Sequence, residues 1–144
     1  MKRSLYLTGL QEMRNRDYKF FSVARELSRL SDFHYKHIGA IIVLRNEVIA
    51  TGYNRNKSSP IQGMWAEKAG RPEAIYTHAE ISCLDKLKHG DYNLAKLYAY
   101  CEAKSGELAL ARPCEICTMA LKHYGIKSVF YTTKEGYAEE RWNE

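Results

Sequence analysis

Residues 97–131 of the chain read as strand, helix, strand, and this order restricts the fold more than any other feature. Residues 97–101 and 129–131 are short apolar segments bounded by polar or glycine-containing stretches. Between them Cys117, Ala120, Leu121 and Tyr124 recur at i, i+3, i+4 and i+7, with Pro113 ahead of the pattern and Gly125 after it. Two strands of one sheet joined through a helix run parallel, with a right-handed crossover.

The rest of the chain extends that layer. Phe20, Val23, Ala24, Leu27 and Leu30 have helical spacing, with Arg25, Glu26 and Arg29 on the other side, so a first amphipathic helix is expected. Residues 38–44 and 48–53 are rich in β-branched residues and are separated by Arg45-Asn46-Glu47, a hairpin signal because Asn tolerates the left-handed region. Residues 54–77 show neither period. A loop of that length suggests an embedded short helix, and residues 62–69 are the candidate. Ala79, Cys83 and Leu87 form the stripe of another helix over residues 78–88, with Gly90 placed to end it. The string helix, hairpin, helix, strand, helix, strand implies an α/β layered fold. With no repeat, low-complexity stretch or linker in its 144 residues, the chain reads as a single domain over 1–144.

Twenty-two Lys and Arg against 17 Asp and Glu give a net charge of +5, which favours anionic partners, small phosphorylated molecules as well as polynucleotides. Residues 1–36 carry eight basic and four acidic side chains, a net +4, without the run of like charge that marks a disordered basic arm. The longest apolar run, residues 38–44, falls far short of the ~18 residues of a membrane helix. The basic start is followed by Gln11, Glu12, Arg14 and Arg16, not by an apolar signal core, so a cytoplasmic protein without membrane contact is expected. Four cysteines in such a setting argue against a disulfide framework and for metal or redox use, and Cys114 and Cys117 form a C-x-x-C.

His78 and Glu80 at the start of one helix, with Cys114 and Cys117 at the start of another, could serve one zinc centre. Catalytic zinc takes three protein ligands, one His and two Cys being an accepted set, which leaves Glu80 for proton transfer. Cysteines three apart share a helix face, and the positive end of the helix dipole favours their thiolates. His78 and Glu80 would point about 200° apart inside a helix, so they can meet one centre only at its first turn. Other readings stay open. The cysteines could be a redox pair or core thiols, His78 a surface residue, and Thr77-x-x-Glu80 a capping box.

His-x-Glu followed by Pro-Cys-x-x-Cys resembles the signature of the zinc-dependent nucleobase deaminases. Residues 39–43 (GAIIV), 52–54 (GYN), 77–80 (THAE), 113–117 (PCEIC) and 125–127 (GIK) all have counterparts in the cytidine and deoxycytidylate deaminase superfamily, closest to the phage-type deoxycytidylate deaminases. The His-Ala-Glu form points away from the free-cytidine deaminases. The resemblance implies a three-layer α/β/α fold with a mixed sheet of four to five strands. It implies Zn2+ held by His78, Cys114 and Cys117, Glu80 as proton shuttle, Asn54 bonded to the sugar, and the Ala79 N–H offered to the base carbonyl. Basic residues after Asn54, Arg55 and Lys57 foremost, would hold a phosphate. The implied reaction is hydrolytic loss of ammonia from a cytosine nucleotide, dCMP to dUMP, in a homo-oligomer. Two alternatives remain: a polynucleotide editor acting on tRNA adenosine or single-stranded cytosine, and a non-catalytic structural zinc module.

Two segments depart from the deoxycytidylate pattern. Residues 102–112 are longer than usual, and Lys104-Ser105-Gly106-Glu107 suggests a small hairpin over the active site, while residues 55–62 lack the usual glycines. Cys83 lies on a helix stripe and reads as a core thiol. Cys101 ends a strand, and Trp65 lies in the long loop near Arg55, Lys57 and Lys68, where packing is its default role.

Overall fold

The computed structural model describes residues 4–7 and 13–142. In chain order its elements are β1 (Ser4–Leu7), α1 (Asn15–Ser28), β2 (Ile38–Leu44), β3 (Glu47–Tyr53), α2 (Pro60–Lys68), α3 (Ala79–Leu84), β4 (Lys96–Cys101), α4 (Glu115–His123), β5 (Ser128–Thr133) and β6 (Gly136–Trp142). One mixed sheet runs β1-β6-β5-β4-β2-β3. Only β4 and β5 pair in parallel, and α4 crosses between them. The strand–helix–strand reading of residues 97–131 therefore holds.

Period-two alternation along the strands sorts the core into two layers. Ile41, Val43, Tyr98, Tyr100 and Phe130 face α1 and meet Phe20, Phe21 and Ala24. Ala40, Ile42, Leu97, Ala99, Val129 and Tyr131 face the opposite way, toward the layer of α2, α3 and α4. The result is the expected α/β/α sandwich. Tyr98 and Phe130, neighbours across the parallel pair, stack at 4.5 Å, as core residues of the first layer.

Four strands were legible from the sequence. A fifth, β6, completes the expected mixed sheet, and β1 adds a short sixth on its outer side. β6 escapes a hydrophobic pattern because its inward positions are Ala138, Glu140 and Trp142, so a carboxylate stands where an apolar residue would signal a strand. The hairpin turn between β2 and β3 is tighter than the sequence suggested. Arg45 (φ 51°) and Asn46 (φ 65°) both take the left-handed region, the two-residue geometry that matches strand twist, and Glu47 already belongs to β3.

Two glycines set how closely the helices approach the sheet. A Cβ on Gly39 would stand 2.1 Å from the carbonyl oxygen of Ala24 in α1, and one on Gly52 would stand 2.5 Å from that of Ala79 in α3. Among the described residues no helix is long and apolar enough to cross a membrane.

Candidate active site

Helices α3 and α4 begin beside one another on the same face of the sheet, and their first residues form the site. His78 is the N-cap of α3, extended at φ −80° and ψ 154°, and its backbone N–H donates to Gln62 Oε1 at 3.0 Å. Gln62 is fully buried on α2, and its Nε2 donates to the Ala74 carbonyl at 2.9 Å, so the short helix inside the long loop fixes the entry to α3. Glu80 lies one residue into that first turn, buried. The capping box between Thr77 and Glu80 does not form: Thr77 Oγ1 donates to the Lys57 carbonyl at 2.8 Å, and the Glu80 carboxylate turns inward.

Cys114 is the N-cap of α4 and Cys117 lies in its first turn, behind Pro113. Both sulfurs stand 3.4 Å from His78 Nδ1, and the three ligand atoms lie within 4.8 Å of one another. A tetrahedral zinc with its usual bonds to sulfur and nitrogen would space a ring nitrogen and a thiolate about 3.6 Å apart, so the donor set fits that ion. It is the only such cluster among the described residues, and no fourth His or Cys closes it as a structural site would require. Cys83 lies elsewhere in the core, its thiol donating to the Ala40 carbonyl at 3.2 Å, and Cys101 is likewise buried.

The charges of the site are coupled. Taken without a metal, the Cys114 thiol is lowered to about 4, chiefly by its hydrogen bond with Cys117 and, against the cost of burial, by His78. Burial lowers the His78 pKa, but the hydrogen bond and negative charge of Cys114 outweigh it and leave the ring above its ordinary value. Burial raises the Cys117 thiol. It also raises the Glu80 carboxyl, and the Cys114 charge adds to the shift; Cys117 Sγ donates to Glu80 Oε1 at 3.5 Å. A Cys114 thiol lowered this far is a ready ligand, and a metal cation competes with protons at the remaining donors.

A cavity of about 220 Å³ opens over these groups, walled by Phe33, Tyr35, Ile38 and Leu110, with Lys36, Asn54 and Arg112 as its polar sides and Ala79 and Glu80 at its base. Asn54 is nearly fully engaged. Its Oδ1 accepts from Ser31 Oγ at 2.6 Å and from Ile38 N–H at 2.9 Å, and its Nδ2 donates to the Lys36 carbonyl at 2.6 Å. An amide nitrogen carries two hydrogens, so one is left for a ligand. Residues 102–112 form the expected small hairpin, with Ala103 N–H donating to the Glu107 carbonyl at 2.8 Å and Glu102 bridged to Leu108.

Arg112 ends this segment in a network that the sequence did not reveal. Its Nε and Nη2 donate to the two oxygens of Glu140 at 2.8 and 2.7 Å, and Glu140 also accepts from Tyr131 OH at 3.0 Å and Trp142 Nε1 at 2.9 Å. Leu110 and Arg112 bring the segment 102–112 to the site as expected, whereas Phe33 and Lys36 join it unforeseen.

Neither Arg55 nor Lys57 lines this cavity. The chain turns there to pair with residue 77: Arg55 N–H donates to the Thr77 carbonyl at 3.1 Å, and the Lys57 carbonyl accepts from Thr77 N–H at 3.0 Å. Trp65 is buried in α2 with its ring 5.1 Å from that of His123, a packing role.

One zinc per chain is expected by elemental analysis, with Cys114→Ser and His78→Ala each losing it. Active protein without bound metal would contradict the centre.

Residues 14–133 match the family described as "Cytidine and deoxycytidylate deaminase zinc-binding region". No curated protein sequence matches the chain. Among solved structures, the dCMP deaminase of cyanophage S-TIM5 is similar at a TM-score of 0.60 and 20% identity, over 84% of this chain and 86% of that one. A cytidine deaminase from Burkholderia pseudomallei is similar at 0.58 and 16%, over 92% and 93%. The guanine deaminase of Bacillus subtilis is similar at 0.51 and 24%, over 84% and 65%. These likenesses support the fold alone, whereas the family match spans most of the chain and contains the His78, Cys114 and Cys117 cluster. The chain is a zinc-dependent deaminase of the cytidine and deoxycytidylate deaminase family.

Proposed function

We propose that the substrate is a cytosine mononucleotide, dCMP, which reacts with water to give dUMP and ammonia. The observation that carries this reading is a buried carboxylate, Glu80, beside a three-donor metal site under a small cavity with cationic walls. A protein of the same fold, the cyanophage enzyme, has been crystallised in complex with dCMP and dUMP.

Each residue then has a task. His78, Cys114 and Cys117 would hold a zinc ion, which when bound would act as a Lewis acid and lower the pKa of water from 15.7 toward about 7. Glu80, its carboxyl pKa raised by burial, accepts the proton of the attacking water, delivers it to the ring nitrogen N3, and hands a second proton to the departing amino group as ammonia. Ala79 is the first residue of α3, so its N–H has no partner within the helix and is available to the base carbonyl. The spare Nδ2 hydrogen of Asn54 is available to a sugar hydroxyl. Phe33, Ile38 and Leu110 exclude bulk water from the reacting atoms.

Ammonia release from a panel of dCMP, deoxycytidine, CMP, guanine, adenosine and single-stranded oligonucleotides tests the reading. Turnover of dCMP should exceed that of deoxycytidine and depend weakly on salt, because one phosphate is contacted. An enzyme that tracks several phosphates of a strand would lose binding steeply with salt. Turnover of an oligonucleotide or a tRNA loop without turnover of dCMP would replace the mononucleotide by an editing substrate.

A further inference from the structure

We propose that the groove beside the zinc cavity, bounded by Arg29, Lys36, His37 and Lys104, is the subsite for the phosphate ester of the substrate. The proposal rests on the nucleotide reading above and gives the phosphate a place that the reading leaves open.

Size is the first argument. The cavity over Glu80 measures about 220 Å³, below the roughly 300–1,000 Å³ of sites that enclose a small-molecule ligand. Base and sugar occupy it, and a charged ester must lie outside. A depression of about 620 Å³ adjoins it and shares Tyr35 and Lys36 with it. Its walls come from the end of α1 (Ser28, Arg29), the segment 34–37 and the hairpin 101–109.

Charge is the second argument. The groove holds Arg29, Lys36 and Lys104 with His34 and His37, against one acid, Glu102. Glu102 is already engaged: Arg25 and Arg29 each approach it to 3.7 Å, and Tyr100 OH donates to it at 2.6 Å. Lys36 Nζ donates to the Leu110 carbonyl at 3.0 Å, a neutral oxygen that leaves two of its three hydrogens and its whole charge uncompensated. Neither Lys36 nor Lys104 has an ion pair with another described residue. Arg29 is shared with Glu26 at 3.4 Å and Glu102, so Lys36 and Lys104 on one groove wall supply the uncompensated charge that a phosphate dianion seeks. By contrast, Arg55 buries its Nε, and neither Arg55 nor Lys57 lines the cavity or the groove.

The test is the ratio of kcat/KM for dCMP to that for deoxycytidine, measured on the zinc-loaded protein. Lys104→Glu and Lys36→Met should each lower the ratio about tenfold or more, the worth of a hydrogen bond to a charged group. Lys104 sits on an exposed hairpin turn, so its variant keeps the test valid if Lys36→Met disturbs residue 110. A ratio that falls with Lys57→Glu and holds in both groove variants overturns the proposal. A second measurement does not depend on catalysis: sulfate titrated into the 15N-labelled, zinc-loaded protein should shift the amide signals of residues 29, 36, 37 and 104. Shifts confined to residues 55–57, or none, overturn the groove whatever the protein deaminates. Failure to turn over dCMP and deoxycytidine, with sulfate still in the groove, overturns the mononucleotide reading and leaves the anion site standing.

Discussion

Glu80→Gln is expected to keep the fold and the zinc while deaminase activity falls by about 10²–10⁴-fold, the range of a general acid–base group. The amide has nearly the shape of the carboxylate and none of its capacity to accept the proton of water. Glu80 is buried, its carboxylate accepts from the Cys117 thiol at 3.5 Å, and it closes no capping box, since the N-cap of α3 is His78 and Thr77 bonds to Lys57. Zinc content, circular dichroism and single-turnover ammonia release on one preparation check all three parts. Activity within a few-fold of the parent would remove Glu80 from the chemistry.

The largest effect on stability is expected from Glu140→Ala. Glu140 is 1% exposed and takes hydrogen bonds from Arg112, Tyr131 and Trp142, so truncation removes the acceptor of a buried indole N–H and of a guanidinium, and one bond of a buried hydroxyl. Breaking a buried pair costs about 3–5 kcal/mol, and the lower end applies because the Arg112 side chain is 46% exposed and regains water. A fall in the denaturant midpoint at unchanged slope measures it. Burial raises the Glu140 pKa, but the bonds from Arg112, Trp142 and Tyr131 outweigh it and hold the carboxyl below its ordinary 4.5. The pKa-linked stabilisation is therefore complete above the unfolded value and is lost as pH falls through the lower folded one, so the gap between parent and variant should begin to close below about pH 4.5 and narrow further in stronger acid. A gap that widens on acidification would mean the carboxylate is not what holds the network.

What the sequence disclosed followed how local each signal is. His78, Glu80, Cys114 and Cys117 were legible because metal chemistry limits both residue type and spacing, and each pair lies within one helical turn. The helix at residues 78–88 was read four residues too long, since after Leu84 the chain tightens into i→i+3 bonds from Lys86 and Leu87 that keep the apolar stripe without an α-helix. Asn54 was legible as a site residue, but its three partners were not, because Ser31, Lys36 and Ile38 lie 16 to 23 residues away. Arg55 and Lys57 directly follow Asn54 in the chain yet do not line the cavity, because charge near a site in sequence says nothing of which way a loop turns its side chains. Arg112 and Glu140, 28 residues apart, can be paired only once β6 is known to lie in the sheet, and Glu140 itself hides that strand.

The separation of the ligands gives the zinc centre a second consequence. His78 stands 36 residues from Cys114 and 39 from Cys117, with β4 and the hairpin in between. With zinc in place the centre closes that stretch of chain as a disulfide would, and closing a loop of this length removes about 4 kcal/mol of unfolded-state entropy. The ion then belongs to the folding equilibrium as well as to the reaction. Free zinc concentration becomes a variable of thermal stability, and chelation should cost the protein resistance to heat as well as turnover.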